Sequence, residues 1–251
     1  YTADSQFPNP PQLQLPQSDS VIINSGGDDC GGAPTVSISD AIRLSCNIPF
    51  AELGQAIGTR AILAQAMKFG FNSSVSVPLE STPSVYPRAL DEPQTMLSAF
   101  GQSSVRASPL QMAMVSMAIA NGGTLMKPNL VESITAPNLT VLQSLEPSVY
   151  GQAMSRETAA AITQMMVGSV SNGAASNARI DGVDVAGKTG TAENGEGDPY
   201  TLWFTGFAPA NDPQVVVAVV VENGAGLGQS SYGNAIAAPI AKKVLEAVLF
   251  R

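Results

Sequence analysis

Three short runs near the C-terminus constrain the fold more than any other feature of the chain. Residues 183–192, 202–208 and 215–222 each read as a strand, and the links between them are short enough for antiparallel hairpins. The third run is so uniformly apolar that a central, buried strand is expected there. A helical span at 234–249 follows. Its Ile236, Ile240, Val244 and Val248 are spaced to pack on the sheet, and Pro239 is set to kink it or mark its start. A sheet of this kind needs helices against it, so the architecture predicted is α+β, an antiparallel sheet flanked by helices.

The earlier sequence supplies those helices. Residues 1–37 are rich in Pro, Gln, Ser, Asn and Gly, with Gly26-Gly27 and Gly31-Gly32 among them, and read as an extended lobe with short strands at most. Residues 38–181 form a mostly helical part, and 182–251 carry the sheet and the closing helix. Ser39 and Asp40 precede a first helix. Thr59 caps a segment whose Ile62, Leu63, Ala66 and Met67 share one face, ending at Gly70. Pro78, Pro83, Pro87 and Pro93 make 71–104 an irregular wall. Ser108 then stands as N-cap, Pro109 at N1 and Gln111 at N3, the grammar of a capping box. The body at 110–120 is apolar almost all round and reads as a buried central helix, with Met112, Met114 and Met117 as core filler. A further helix is expected over 156–167.

Composition removes several kinds of chemistry. The 251 residues contain no histidine, which excludes Ser-His-Asp and Cys-His triads, histidine metal sites and imidazole acid–base work. Twelve Lys and Arg against twenty Asp and Glu give a net charge of −8, so no nucleic-acid partner is expected. Neither a metal nor a cofactor is called for. No run approaches the ~18 apolar residues of a membrane span. Cys30 and Cys46 are too few for a disulfide scaffold and lack metal-site spacing.

Two short motifs carry the chemistry. In Lys188-Thr189-Gly190, extended to Thr191, the threonines share one strand face and offer two hydroxyls to one ligand beside a cation. Gly190 lets a substrate backbone come close to the strand. A carboxylate is the natural guest; the plainer reading is an edge-strand lysine among threonines chosen for β propensity. Chance supplies only about 0.1 Lys-[Ser/Thr]-Gly per chain of this size, so the match favours the ligand-binding reading over the plainer one. Ser45-Cys46-Asn47 places a hydroxyl and an amide two residues apart, suited to proton relay and amide clamp. Chance supplies about one Ser-x-Asn per chain, and a helix-terminal Asn is its plain reading.

Together and in this order, Ser-x-Asn and Lys-Thr-Gly resemble the signatures of the penicillin-interacting family, the penicillin-binding proteins and serine β-lactamases. Ser108 to Ala113, Ala120 to Gly123 and Trp203 to Pro209 are similar to the central helix and strands of class B penicillin-binding proteins. The resemblance implies the serine β-lactamase/D,D-peptidase fold and acyl transfer on D-alanyl-D-alanine stem peptides of peptidoglycan. It implies Ser45 as relay, Asn47 as clamp, Lys188 as electrostatic centre, and Thr189, Gly190 and Thr191 as substrate-binding residues, with the Thr191 N–H as half of an oxyanion hole. The family's Ser-x-x-Lys is absent. Three residues before the five lysines stand Gln65, Thr124, Val185, Pro239 and Ile240, and Thr124 sits in a Gly-Gly turn unsuited to a nucleophile. The nucleophilic serine is therefore expected before Tyr1, along with a membrane anchor on the extracytoplasmic face.

The expected function is a peptidoglycan D,D-transpeptidase. Its expected partners are stem peptides, β-lactam antibiotics and a glycosyltransferase or divisome protein. A serine β-lactamase or D,D-carboxypeptidase is the enzymatic alternative, and a non-catalytic β-lactam sensor or wall scaffold the other. No deacylating carboxylate is recognisable in 71–104, which disfavours the lactamase. The implied compartment is oxidising, so Cys30 and Cys46 are expected to form a disulfide.

Overall fold

A computed structural model describes residues 1–24, 27–75, 77, 79 and 81–251; Gly26 and Pro78 lie outside them. Residues 1–37 hold four three-residue strands, β1 (Gln6–Pro8), β2 (Gln12–Gln14), β3 (Val21–Ile23) and β4 (Thr35–Ser37), paired β1 with β4 and β2 with β3. Helix α1 (Ile38–Leu44) follows directly. The Ser37 hydroxyl accepts from Asp40 N at its start, and Asp40 and Arg43 complement the helix dipole at its two ends. α2 (Ile48–Lys68) breaks at Gly58, whose φ of 76° no helix admits. The Thr59 hydroxyl is spent on that of Thr95, and Met67 stays 45% exposed, so the segment buries less of its stripe than the spacing suggested.

The wall at 71–104 is not irregular throughout. It contains α3 (Glu92–Ser98), capped by Asp91 with Pro93 in the first turn. α4 (Pro109–Ala120) starts at Ser108, whose Oγ accepts from Gln111 N at 3.1 Å. The capping box is only half made. Gln111 is buried and donates Nε2 to the Phe69 carbonyl at 2.7 Å, while the Ser108 N–H finds Ser84 Oγ at 2.9 Å. Two small sheets follow. β5 (Thr124–Met126) pairs with β8 (Val149–Gln152), and between them β6 (Ser133–Thr135) pairs with β7 (Val141–Ser144). α5 (Arg156–Asn172) runs a turn and more beyond the expected 167.

The main sheet has β9 (Ala186–Ala192), β10 (Thr201–Ala208) and β11 (Val215–Val221) in the order β11-β10-β9, all antiparallel. The central strand is thus β10, with Leu202, Phe204, Phe207 and Ala208 fully buried. β11 lies outside it among the described residues, which corrects the expected central position. Its apolar run follows from cover on both faces. On one face Val217 and Phe204 meet Ala237, Ala238, Ala241 and Leu245 of α6 (Gly233–Leu249). On the other, Phe207 and Val216 meet Ile119 of α4 and Met166 of α5. Two covered faces demand apolar residues at every position.

The face of α6 that packs is also corrected. Its sheet side is lined by alanines and Leu245, whereas Ile240, Val244 and Val248 are 41, 43 and 38% exposed. Alanines let the helix approach closely. At its first residue the approach closes completely: a Cβ on Gly233 would lie 2.5 Å from the Gly190 carbonyl and 2.6 Å from that of Trp203. The whole is α+β with helices on an antiparallel sheet, the class expected.

Candidate active site

α1 ends at Ser45 in the left-handed conformation, φ 65° and ψ 47°. A left-handed residue is a common way to end a helix, and here the Ser45 N–H closes the last turn onto the Ala41 and Ile42 carbonyls. The turn brings the Ser45 hydroxyl to β9. Lys188 Nζ donates to Ser45 Oγ at 2.7 Å across 143 residues, and also to the Thr189 carbonyl at 2.8 Å. Ser45 therefore accepts from the lysine and keeps its own proton to give away. Burial lowers the Lys188 pKa to about 8, because the charged form loses water around it.

Asn47 begins α2, yet its side chain does not cap it. Asn24, buried in the lobe, does that work: its Oδ1 accepts from Asn47 N at 2.9 Å and Ile48 N at 3.1 Å. The Asn47 amide is thereby released, anchored among the described residues by Nδ2 donating to the Ile23 carbonyl at 2.9 Å. Its Oδ1 and second N–H remain for a ligand, as a clamp requires.

Among the described residues β9 is an edge strand, and its residues alternate. Lys188, opposite Thr205 in the register, shares the face on which Thr205 bonds α4 through Ser116 and the Met112 carbonyl. Thr189 and Thr191 turn to the other face, towards the start of α6. Their hydroxyls differ. Thr189 donates to the Ala174 carbonyl at 3.2 Å, while Thr191 accepts from Gly233 N at 3.2 Å and so retains a free proton. Gly190 between them lies opposite Trp203 and has the Gly233 helix start packed on its backbone.

The structure brings Ser45 and Lys188 into contact, sets Asn47 beside Ser45 and puts the threonines on the adjoining strand. Glu193 falls just past the strand end and is exposed. The sulfurs of Cys30 and Cys46 are bonded, with Cα atoms 5.8 Å apart. Among the described residues no three His, Cys, Asp or Glu side chains gather in a metal-holding group. Three participants escaped sequence reasoning: Asn24, Gly233 and the turn at 172–175. Gly233 had a signal, a glycine opening a helix. Asn24 and the turn had none, since both act through distant backbone.

The geometry joins the two motifs, and the chain as a whole carries them in a familiar frame. The family model for the penicillin binding protein transpeptidase domain matches residues 2–246. The chain belongs to that family. Over 249 residues it is 39% identical to peptidoglycan D,D-transpeptidase PbpA of Mycolicibacterium smegmatis, covering 98% of this chain and 50% of the relative. The PbpA of Mycobacterium tuberculosis is 38% identical over 252 residues, 99% of this chain and 51% of the relative. The chain thus spans about half the length of the curated relatives it matches. The solved ceftriaxone acyl-enzyme complex of penicillin-binding protein A from M. tuberculosis superposes with a TM-score of 0.95 at 38% identity, over 99% of this chain and 56% of that one.

Proposed function

We propose that this chain is the Ser-x-Asn and Lys-Thr-Gly half of a peptidoglycan D,D-transpeptidase, acting on D-alanyl-D-alanine stem peptides and acylated by β-lactams. The observation that carries the reading is the 2.7 Å bond between Lys188 and Ser45, which joins the two motifs in one cleft. The reading places the nucleophilic serine and its lysine in sequence preceding Tyr1. Absence of Ser-x-x-Lys and the half-length match to PbpA support this. The same preceding segment is proposed to hold the membrane anchor, with the domain facing the cell wall. A glycosyltransferase or divisome partner remains part of the proposal.

In this reading the serine oxygen bonds to the penultimate D-alanine carbonyl carbon, and the C–N bond to the terminal D-alanine breaks. The proton leaving the nucleophile reaches the departing amine through Ser45, which keeps a donor free because Lys188 fills its acceptor position. Asn47 holds a substrate amide. Lys188 sets the electrostatic field, and the Thr189 and Thr191 hydroxyls hold the terminal carboxylate. The Thr191 N–H provides half of an oxyanion hole, a contribution of about 3 kcal/mol to the barrier.

Labelling the full-length protein with a fluorescent penicillin, then following the label, tests the reading. A long-lived adduct with crosslinking of peptidoglycan supports a transpeptidase. Rapid loss of label indicates a lactamase, and a stable label without crosslinking indicates a sensor.

A further inference from the structure

The two cleft walls are joined a second time, and that joint is built around Arg43. Its guanidinium serves two partners. Nε and Nη2 donate to Asp40 Oδ1 at 3.1 and 2.9 Å, and Nη1 donates to the Asn172 carbonyl at the end of α5 at 3.0 Å. Asp40 is held in turn by the Ser37 hydroxyl at 3.0 Å. The Arg43 and Ser37 hydrogen bonds keep its carboxyl below the usual range, so the pair is ionised. The main-chain carbonyl of Arg43 accepts from Ala174 N at 2.9 Å. Turn and helix are so close that a Cβ on Gly173 would collide with that carbonyl. Ala174 then presents its own carbonyl to the Thr189 hydroxyl at 3.2 Å.

We infer that Arg43 is a positioning residue for the carboxylate end of the cleft, acting through the 172–174 turn on Thr189. The inference rests on the reading of Thr189 and Thr191 as the carboxylate-holding pair. A threonine side chain has few staggered positions, and the Ala174 carbonyl selects one of them before any ligand arrives. An arriving carboxylate accepts the Thr189 hydrogen bond once the hydroxyl turns about its C–O bond away from the Ala174 carbonyl. Such preorganisation raises affinity by sparing the cost of ordering the group during binding. Arginine suits the task because its fork reaches Asp40 and Asn172 together; a lysine ammonium on the same stem is a single point of contact.

The test compares second-order acylation of the full-length protein by benzylpenicillin and by its methyl ester, which lacks the carboxylate. Wild type is expected to prefer the free acid. Arg43→Ala should lower that preference about tenfold, equivalent to a single hydrogen-bonding group misplaced. Arg43→Lys, which retains charge and stem, should lower it as well, with an unchanged melting temperature. Thr189→Val should match Arg43→Ala, and the double variant should lose no more than either alone. An unchanged preference in Arg43→Lys, or losses that add in the double variant, overturns the inference even if Arg43→Ala fails to fold. Wild type without any preference for the acid overturns the carboxylate reading of the cleft instead.

Discussion

At the scale of single residues, the informative group is Lys188, a lysine set in the protein where water cannot fully reach it. Its pKa of about 8 lies below that of a free lysine, so the folded state holds its proton less tightly than the unfolded chain does. The cost of keeping it charged is complete below about pH 8. Between there and the ordinary lysine range the unfolded chain binds more protons, and stability rises with pH. Lys188→Met should therefore be at least as stable as wild type at pH 7, with its advantage shrinking by pH 9.5 in urea titrations. Acylation by penicillin should fall by orders of magnitude in the same variant, because the contact with Ser45 and the field around the carboxylate are gone. A variant that melts much lower yet acylates normally would make Lys188 a structural residue.

At the scale of elements, the site depends on helix ends rather than helix bodies. α1 stops in a left-handed Ser45, Asn24 caps α2 from the lobe, and α6 starts against the strand that carries Thr191. Gly233 is the clearest case. A methyl group there meets two backbone carbonyls that cannot step aside, so α6 must retreat from β9. Gly233→Ala should cost about 1–3 kcal/mol and weaken acylation by carboxylate-bearing penicillins, read by melting temperature and labelling rate together. The same scale explains where sequence reasoning fell short. Four prolines across 71–104 made the stretch read as irregular, whereas Asp91 caps α3 there and Pro93 fits its first turn. In α6 the apolar spacing pointed to Ile240 and Val244, while the sheet selected the alanine face, since only small residues admit so close an approach.

At the scale of the whole molecule, the lobe and the cleft are tied by the bond from Cys30 to Cys46, which closes a loop of 16 residues. Asn9 supports it by accepting from Cys30 N and donating to the Cys30 and Ala33 carbonyls. On the chain-entropy account such a loop contributes about 3 kcal/mol. Thiol titration of the denatured, unreduced protein should find no free thiol; two per chain would remove the bond from the account. On the proposed roles, residues 1–251 alone should form no penicilloyl adduct, because a relay, a clamp and half an oxyanion hole cannot replace a nucleophile. Intact-mass spectrometry after benzylpenicillin checks this, and an adduct on Ser45 or Thr124 would relocate the nucleophile.

What the sequence determined by itself was local or repetitive. Strand runs, the cap at Ser108, the absence of histidine and the two short motifs are all written in neighbouring residues, where periodicity and side-chain chemistry act directly. The pairing of Ser45 with Lys188, the release of Asn47 by Asn24, the different states of the Thr189 and Thr191 hydroxyls and the reach of Arg43 to Asn172 were decided only by the tertiary structure. Each joins groups far apart in the chain, usually a side chain to a backbone atom. Backbone atoms are the same at every residue, so no pattern of side chains announces which of them will be met.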